Sequence, residues 1–401
     1  MQMNYKPECK NSTTGDFRGY ISSPSSLLSS ACIWFYLLRT TMSLYLCVDC
    51  GGTKTSAAIC DSSGTIVGRG LGGPSNITYL TLDAFLNAVK DAVGSALQST
   101  SSPPFDIPII LPYVGKSPFA AAWFGVSGAD SPAAIAKVTA PLSTLLGIPV
   151  GPDLIIANDT HLLAAPVRMH PDVTDVVTVI AGTGSNAVSF REVEGRIEEL
   201  GRVGGWGWIL GDEGGGFDVG REALRQILME EDKASVTGTR PPHSELRDRI
   251  LERFGVTNVM EILTGVYRPD PLTNTASPED QTALHTLPRE RRISSFPRLV
   301  FEAAFEHNDP LAMNVLKASA RHLSSQIVIL LGEGLESSSR SVKASESVIS
   351  FGGSLVGIEA YRNLILDDLS QHGHVFRYID FIDNAAVVGA TGLAAAYSSF
   401  P

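Results

Sequence analysis

Cysteine is scarce in this 401-residue chain and confined to one end. Cys9, Cys32, Cys47, Cys50 and Cys60 are all there is, and none lies beyond residue 60. An odd, crowded set cannot staple a fold of this length, so a disulfide framework is disfavoured and a reducing compartment, the cytoplasm, is expected. Positive charge is also short, with 31 Lys and Arg against 42 Asp and Glu and a formal net charge of −11. That balance disfavours a nucleic-acid backbone as the main partner. Long apolar runs are missing as well: none reaches the ~18 to 20 residues that span a bilayer, so no membrane partner is expected. The nearest run is 26–38, behind Lys6, Lys10 and Arg18, and it resembles a leader peptide without a small-residue cleavage site. Residues 1–41 are therefore expected to be a dispensable extension, disordered or non-native, with Met42 as the functional start.

What is present is size and apolar content. Hydrophobic residues make up 44% of the chain and charged residues 18%, which fits a globular protein of two domains. An acidic protein that binds phosphate must do so locally, through backbone donors, a few cations and a metal.

The stretch Leu44-Tyr45-Leu46-Cys47-Val48-Asp49-Cys50-Gly51-Gly52-Thr53-Lys54-Thr55 carries that possibility. An apolar run ends in an acid and two glycines, and a second apolar run begins at Ala57. The order predicts two strands joined by a glycine turn. Such a turn can bring bare N–H groups and hydroxyls up to a phosphate, with Asp49 placed to hold Mg²⁺ through water. An ordinary hairpin with a surface acid is the alternative. The unit recurs about 130 residues later as Val176 to Ile180, Ala181-Gly182-Thr183-Gly184-Ser185-Asn186, then Ala187 to Phe190, and again as Val348-Ile349-Ser350-Phe351-Gly352-Gly353-Ser354.

Between the hairpins, helices are expected from Leu82 through Leu97, over 132–146 and from Thr160 to Val167. Strands are expected over 121–126 and 153–157, the latter ending at Asn158-Asp159. Residues 99–116 read as a linker. Beyond residue 203, seven glycines and Asp212-Glu213 precede an amphipathic helix carrying Phe217, Leu224, Ile227 and Leu228. Helices follow over 299–305, 311–331 and 384–397, the last Ala- and Gly-rich for close packing. Residues 270–292 read as a surface insertion.

Three competing motifs are weaker. Val114-Gly115-Lys116-Ser117 resembles the end of a Walker loop but lacks the upstream glycine, which is Ile110. Gly182-Thr183-Gly184-Ser185-Asn186-Ala187 fits G-x-G-x-x-A, yet strand residues follow where a dinucleotide fold requires a helix. Cys47 and Cys50 spell C-x-x-C inside an apolar strand, not at a helix start.

Taken in order, 47–55, Asn158-Asp159, 181–186, 204–214 and 351–354 resemble the sugar-kinase/actin/Hsp70 ATPase superfamily. More narrowly, the chain is similar to the N-acetylglucosamine kinase branch of the BadF/BadG/BcrA/BcrD ATPase family from Met42 onward. The resemblance implies an α/β fold of two actin-like (RNase H-like) domains with ATP in the cleft between them. Residues 42–170, completed by a C-terminal helix over 386–401, would form one domain. Residues 171–385 would form the other, with 270–292 inserted. It implies ATP and Mg²⁺ as cofactors, a small-molecule sugar as substrate and a homodimer as the assembly. Asp49 would stand near the metal. Gly51, Gly52 and Thr53 would form the first phosphate loop, Gly182, Thr183 and Gly184 the second, and Gly353 and Ser354 part of the adenosine pocket. Asp159 would be the catalytic base, and Asn76, Asp159, Gly205, Trp206, Gly207 and Asp212 would contact the sugar.

Those roles are chemically sensible, since a strand-end carboxylate can take the proton of a hydroxyl attacking phosphorus. Asp159 and Asp212 could instead cap helices, and Trp206 and Trp208 could be core packing. Cys50 occupies a position where the family has glycine, and Ser75-Asn76-Ile77-Thr78 is closer to bacterial glucosamine kinases. The expected activity is transfer of the γ-phosphoryl of ATP to the 6-hydroxyl of N-acetylglucosamine. Glucosamine or another amino sugar is the first alternative. An ATPase activator of 2-hydroxyacyl-CoA dehydratases is disfavoured because its iron–sulfur cluster needs cysteines that the chain lacks after Cys60. A non-catalytic sugar sensor is the third reading.

Overall fold

One strand order, used twice, builds the molecule. In the computed structural model, which describes residues 43–100, 111–112, 117–271, 283–332 and 338–398, β1 (Leu44–Cys50), β2 (Thr55–Cys60) and β3 (Ile66–Gly72) form an antiparallel meander. β4 (Phe119–Val126) and β5 (Leu154–Ala157) then add in parallel to β1, giving the order β3-β2-β1-β4-β5. The second sheet repeats this with β6 (Asp175–Ala181), β7 (Ser185–Val193) and β8 (Arg196–Gly204) as the meander. β9 (Ser347–Gly352) and β10 (Tyr378–Ile382) add in parallel, in the order β10-β9-β6-β7-β8. All of the described residues belong to one compact unit, Ser43–Pro401.

The expected two-sheet α/β architecture is thus present. The parallel strands β1, β4, β6 and β9 are buried almost throughout, as strands covered on both faces must be.

Helices α1 (Leu82–Gln98) and α2 (Pro132–Leu146) cover the outer face of the first sheet. Thr81 Oγ1 starts α1 by accepting the Ala84 N–H at 3.3 Å, and Ser131 does the same for α2 at 3.2 Å with Pro132 next in line. Phe85, Val89, Ala92, Val93 and Ala96 give α1 its buried face, each full burial of a Val- or Phe-sized chain stabilising by about 1.5–3 kcal/mol. The helix lies very close to β3, because a Cβ on Gly68, Gly70 or Gly72 would run into the Ala96, Ala92 or Ala88 carbonyl.

The second sheet carries α3 (Gly216–Thr237), α4 (Glu245–Phe254), α5 (Ile262–Tyr267), α6 (Arg289–Ser294), α7 (Pro297–Phe305), α8 (Pro310–Leu330) and α9 (Glu359–Gln371). Between the sheets lies a third core. It joins Tyr45, Cys47 and Trp123 to Val176, Phe190 and Val348 through a 3₁₀ segment, Asp159–Met169, and α10 (Ala385–Ser398).

Several expectations change. The Thr160 to Val167 helix is the 3₁₀ segment, a tighter winding that holds Pro166 in its interior. The range 270–292 is not surface throughout. Arg292 is buried, and its guanidinium donates to the carbonyls of Leu287 and Gly265 at 2.8 Å each. Leu111, inside the expected linker, is buried in the first core. Residues 1–41, most of 99–116 with its Walker-like residues, and part of the insertion lie outside the described residues. Cys47 and Cys50 join different cores on opposite faces of β1, so C-x-x-C here is two buried residues with no shared site. No helix among the described residues is long and apolar enough to cross a membrane.

Candidate active site

Parallel pairing places the C-terminal ends of β1, β4 and β5 side by side, where open α/β sheets present their binding loops. β1 delivers Asp49 and then the first glycine turn, closed by Gly51 N–H donating to the Lys54 carbonyl at 3.0 Å. Nothing lies within 4 Å of the point where a Gly52 Cβ would stand, so that backbone is open to a ligand. Thr53 and Lys54 are exposed.

The loop that follows β3 is tied across this turn. Ser75 N–H donates to the Gly51 carbonyl at 2.9 Å, and Thr55 Oγ1 lies 2.6 Å from the Gly73 carbonyl it donates to and 2.7 Å from Ser75 Oγ. Ile77 N–H reaches the Ser127 carbonyl at 3.1 Å, and Ser127 N–H reaches that of Cys50 at 2.9 Å. Asn76 is thereby brought to the strand ends. Its Oδ1 accepts the Thr78 N–H at 2.8 Å, and it stands against Gly128, whose φ of 85° suits glycine.

Asp159 opens the 3₁₀ segment just past β5. The capping role falls to Asn158, whose Oδ1 accepts Thr160 N–H at 3.0 Å and Thr160 Oγ1–H at 2.8 Å. Asp159 Oδ2 accepts the Ser127 hydroxyl at 2.5 Å, and Oδ1 accepts Thr160 N–H at 3.0 Å. Burial raises its pKa, with Asp130 adding to the effect, while the Ser127 hydroxyl and the Thr160 N–H hold it down.

Asp159 and Asp49 line one cavity of about 220 Å³, with Gly352, Gly353 and Asp383 from the second sheet completing it. Burial first, and then the charge of Asp159, push Asp49 from 3.8 up to about 6, with Lys54 opposing.

The second glycine turn lies beside Gly353, which lines that cavity. Gly182 N–H donates to the Gly184 carbonyl at 2.9 Å, and the turn is stitched to α3 by Gly216 N–H on Gly182 (2.8 Å) and Phe217 N–H on Thr183 (3.0 Å). β7 continues from Ser185 as strand, which removes the dinucleotide reading. Asp212, at φ 61°, braces this turn: Ser185 N–H donates to its Oδ1 at 3.4 Å, and a Cβ on Gly184 would lie 2.6 Å from its Oδ2. No side chain caps α3, so Asp212 is not a cap. Gly353, at φ 106°, passes so close to the turn that a Cβ would sit 2.6 Å from the Ala181 carbonyl, and Ser354 Oγ is within 3.8 Å of the Cβ position of Gly182.

After β8 the chain loops back over the sheet, with Gly205 N–H on the Ser185 carbonyl at 3.0 Å. Gly205 and Gly207 have φ of 72° and 80°. Trp206 is 74% exposed, whereas Trp208 packs on Phe217 with ring centroids 5.0 Å apart. Core packing therefore accounts for Trp208 and not for Trp206.

The structure thus gathers Asp49, Asp159 and Gly353 round one cavity, and Gly182, Thr183, Gly184, Asp212 and Ser354 round the second turn. Asn76 joins the first group through Ser127 and Gly128.

Ser127, Asp130 and Asp383 are additions that the sequence reading does not contain. Ser127 follows a buried strand and precedes a glycine, the same signal as the other turns, and could have been found by it. Asp130 accepts from Asn158 Nδ2 at 2.8 Å and lies 3.9 Å from Arg202 Nη1 of β8.

Glu213, Asp218 and His322 also converge, but as an ion-pair network. Arg221 Nη2 contacts Glu213 at 2.9 Å and Asp218 at 2.6 Å, and His322 Nδ1 is 2.9 Å from Asp218. Asp218 also accepts Gly214 N–H at 2.9 Å, and Tyr361 donates its hydroxyl to the Gly214 carbonyl at 2.9 Å. The network therefore holds the glycine-rich segment in place.

The profile of the BadF/BadG/BcrA/BcrD ATPase family matches residues 46–396. Among relatives, the N-acetyl-D-glucosamine kinase of Dictyostelium discoideum is 27% identical over 226 residues, covering 56% of this chain and 65% of that protein, just under two thirds. The N-acetylmuramic acid/N-acetylglucosamine kinase of Clostridium acetobutylicum is 26% identical over 284 residues, 69% of this chain and 75% of the relative. A crystal structure from Chromobacterium violaceum, described as a candidate N-acetylglucosamine kinase, shares the fold at a TM-score of 0.52 and 20% identity, covering 88% of this chain and 99% of that one.

Proposed function

The chain belongs to the BadF/BadG/BcrA/BcrD ATPase family, and we propose that it is an ATP-dependent amino-sugar kinase that transfers the γ-phosphoryl group to the 6-hydroxyl of N-acetylglucosamine. One observation carries this reading. Asp159, gripped by Ser127, shares with Asp49 a cavity that Gly352 and Gly353 of the second sheet complete.

In the proposed reaction Asp159 Oδ2 takes the proton of the sugar hydroxyl as that oxygen attacks phosphorus. The Ser127 hydroxyl fixes the orientation of the carboxylate. The N–H groups of Gly52 and Thr53 and of Thr183 and Gly184 bind phosphate oxygens from the two sheets, with the Gly51 and Gly182 N–H groups closing the turns, while Gly353 and Ser354 border the adenosine.

Two carboxylates share one cavity and one of them is pushed to about 6, a donor set that suits a hard divalent cation. Asp49 would hold Mg²⁺, which when bound neutralises phosphate charge. Asn76, Gly205, Trp206 and Gly207 are assigned to the sugar, and Asp212 to the edge shared by sugar and second turn. Residues 42–170 with 386–401, and 171–385, are read as the two domains of a cytoplasmic homodimer whose closure excludes water.

A coupled ADP-release assay over N-acetylglucosamine, glucosamine, N-acetylmuramate, N-acetylmannosamine and glucose tests the reading. Strongest stimulation by N-acetylglucosamine is expected. Strongest stimulation by glucosamine would move the assignment to the alternative that residues 75–78 suggest, and ADP release that no sugar stimulates would remove the kinase reading.

A further inference from the structure

A second cavity, of about 930 Å³, lies across the 3₁₀ segment from the cleft and shares no lining residue with it. Its walls come from both sheets: β4 and β5, the turn between β7 and β8, the 3₁₀ segment and α10. Ile156, Ile197 and Leu393 make much of the lining apolar, and the volume is that of a small-molecule pocket.

Three buried polar atoms on this lining have no hydrogen-bond partner among the described residues: Trp123 Nε1, His161 Nδ1 and Arg168 Nη1. They form one cluster. The Arg168 guanidinium lies 5.0 Å from the centre of the Trp123 ring, and the His161 ring stands edge-on to Trp123 at 5.9 Å. The rest of the Arg168 fork is committed, with Nε on Glu192 Oε1 at 3.2 Å and Nη2 on the Gly195 carbonyl at 2.8 Å. Its side chain is only 3% exposed, so the free edge is fixed in direction. Buried donors are almost always satisfied, so the orphaned Trp123 Nε1 and Arg168 Nη1 on one cavity mark the place of an absent acceptor. Burial keeps His161 neutral with its other ring nitrogen on the Ile197 carbonyl, which leaves Nδ1 an acceptor. The acids on this lining are otherwise occupied or peripheral. Asp153 accepts the Tyr397 hydroxyl, and Glu194 is exposed on the hairpin turn beside the equally exposed Arg196.

We propose that this cavity binds a small organic anion, a carboxylate or phosphate on an apolar body. Arg168 Nη1 and Trp123 Nε1 donate to the anionic group, and the apolar body lies against Ile156, Ile197 and Leu393. The 3₁₀ segment that supplies His161 and Arg168 to this site begins at Asp159 in the cleft, so one rigid element borders both sites.

The test uses the full chain labelled with ¹⁵N in its indoles and titrated with phenyl phosphate, with benzoate and with uncharged benzyl alcohol. The Trp123 signal, assigned with Trp123→Phe, is expected to shift and saturate at low-millimolar anion, with Trp206 and Trp208 unmoved. The shift should persist when a non-hydrolysable ATP analogue fills the cleft, and Arg168→Lys should weaken anion binding about tenfold by losing the fork. A Trp123 signal that neither anion moves, that benzyl alcohol moves equally, or that the nucleotide suppresses would overturn the site. So would undiminished anion affinity in Arg168→Lys.

Discussion

A carboxylate buried against a second carboxylate is held at a cost that a cation can relieve. Asp49 is in that position, with a folded-state pKa of about 6 against an ordinary 3.8. The native state therefore binds more protons than the unfolded chain between those values, and stability falls as pH rises through that window. Without metal, Asp49→Asn should raise stability near neutral pH by about 1–3 kcal/mol, and less below the window, while removing most of the activity. Urea denaturation in chelator at the two pH values measures this, and a destabilised variant at neutral pH would contradict the assignment. Cys50 is the other informative residue. It departs from the family's glycine, yet its side chain is fully buried in the first core and burial keeps its thiol protonated. Its thiol is packed in that core and hydrogen-bonded with Ser75, so Cys50→Ala should leave the KM for ATP within about twofold and cost about 1–2 kcal/mol of stability.

At the scale of elements, the two glycine hairpins and the β9 turn are legible in the sequence because strand, glycine and hydroxyl fall in a fixed order. β8 and β10 are not read as strands. Both are edge strands with one face in solvent, and β8 carries Arg196, Glu198, Glu199 and Arg202 where an apolar run would have signalled it. Asp212 shows the same limit for the site. The resemblance gives it a sugar contact and the sequence a possible cap, and only folding brings its carboxylate onto the second turn. Gly184→Ala should therefore push against Asp212 and raise the KM for ATP about tenfold or more. If the clash is the cause, adding Asp212→Ala should recover part of the loss, and a double variant no better than the single one would contradict the bracing role.

At the scale of the molecule, the repeat of one sheet topology is foreshadowed by the repeated hairpin, but what lies between the sheets is not. Trp123, His161, Arg168 and Ile197 meet from elements far apart in the chain, and no local pattern announces them. The seam depends on α10, which packs so closely on β1 that a Cβ on Gly389 would run into Cys47 Sγ. Gly389→Ala should destabilise by about 1–3 kcal/mol, and Cys47→Ala in the same chain should return much of it. Thermal denaturation of the single and double variants checks this.

The proposed reaction turns on Asp159 taking a proton from a sugar hydroxyl during phosphoryl transfer. The direct measurement is single-turnover formation of sugar 6-phosphate from Mg·ATP and N-acetylglucosamine by the wild-type chain and by Asp159→Asn, with nucleotide affinity determined alongside. The variant should be slower by about 10²–10⁴, with ATP affinity little changed. A variant that forms the product at the wild-type rate would contradict it.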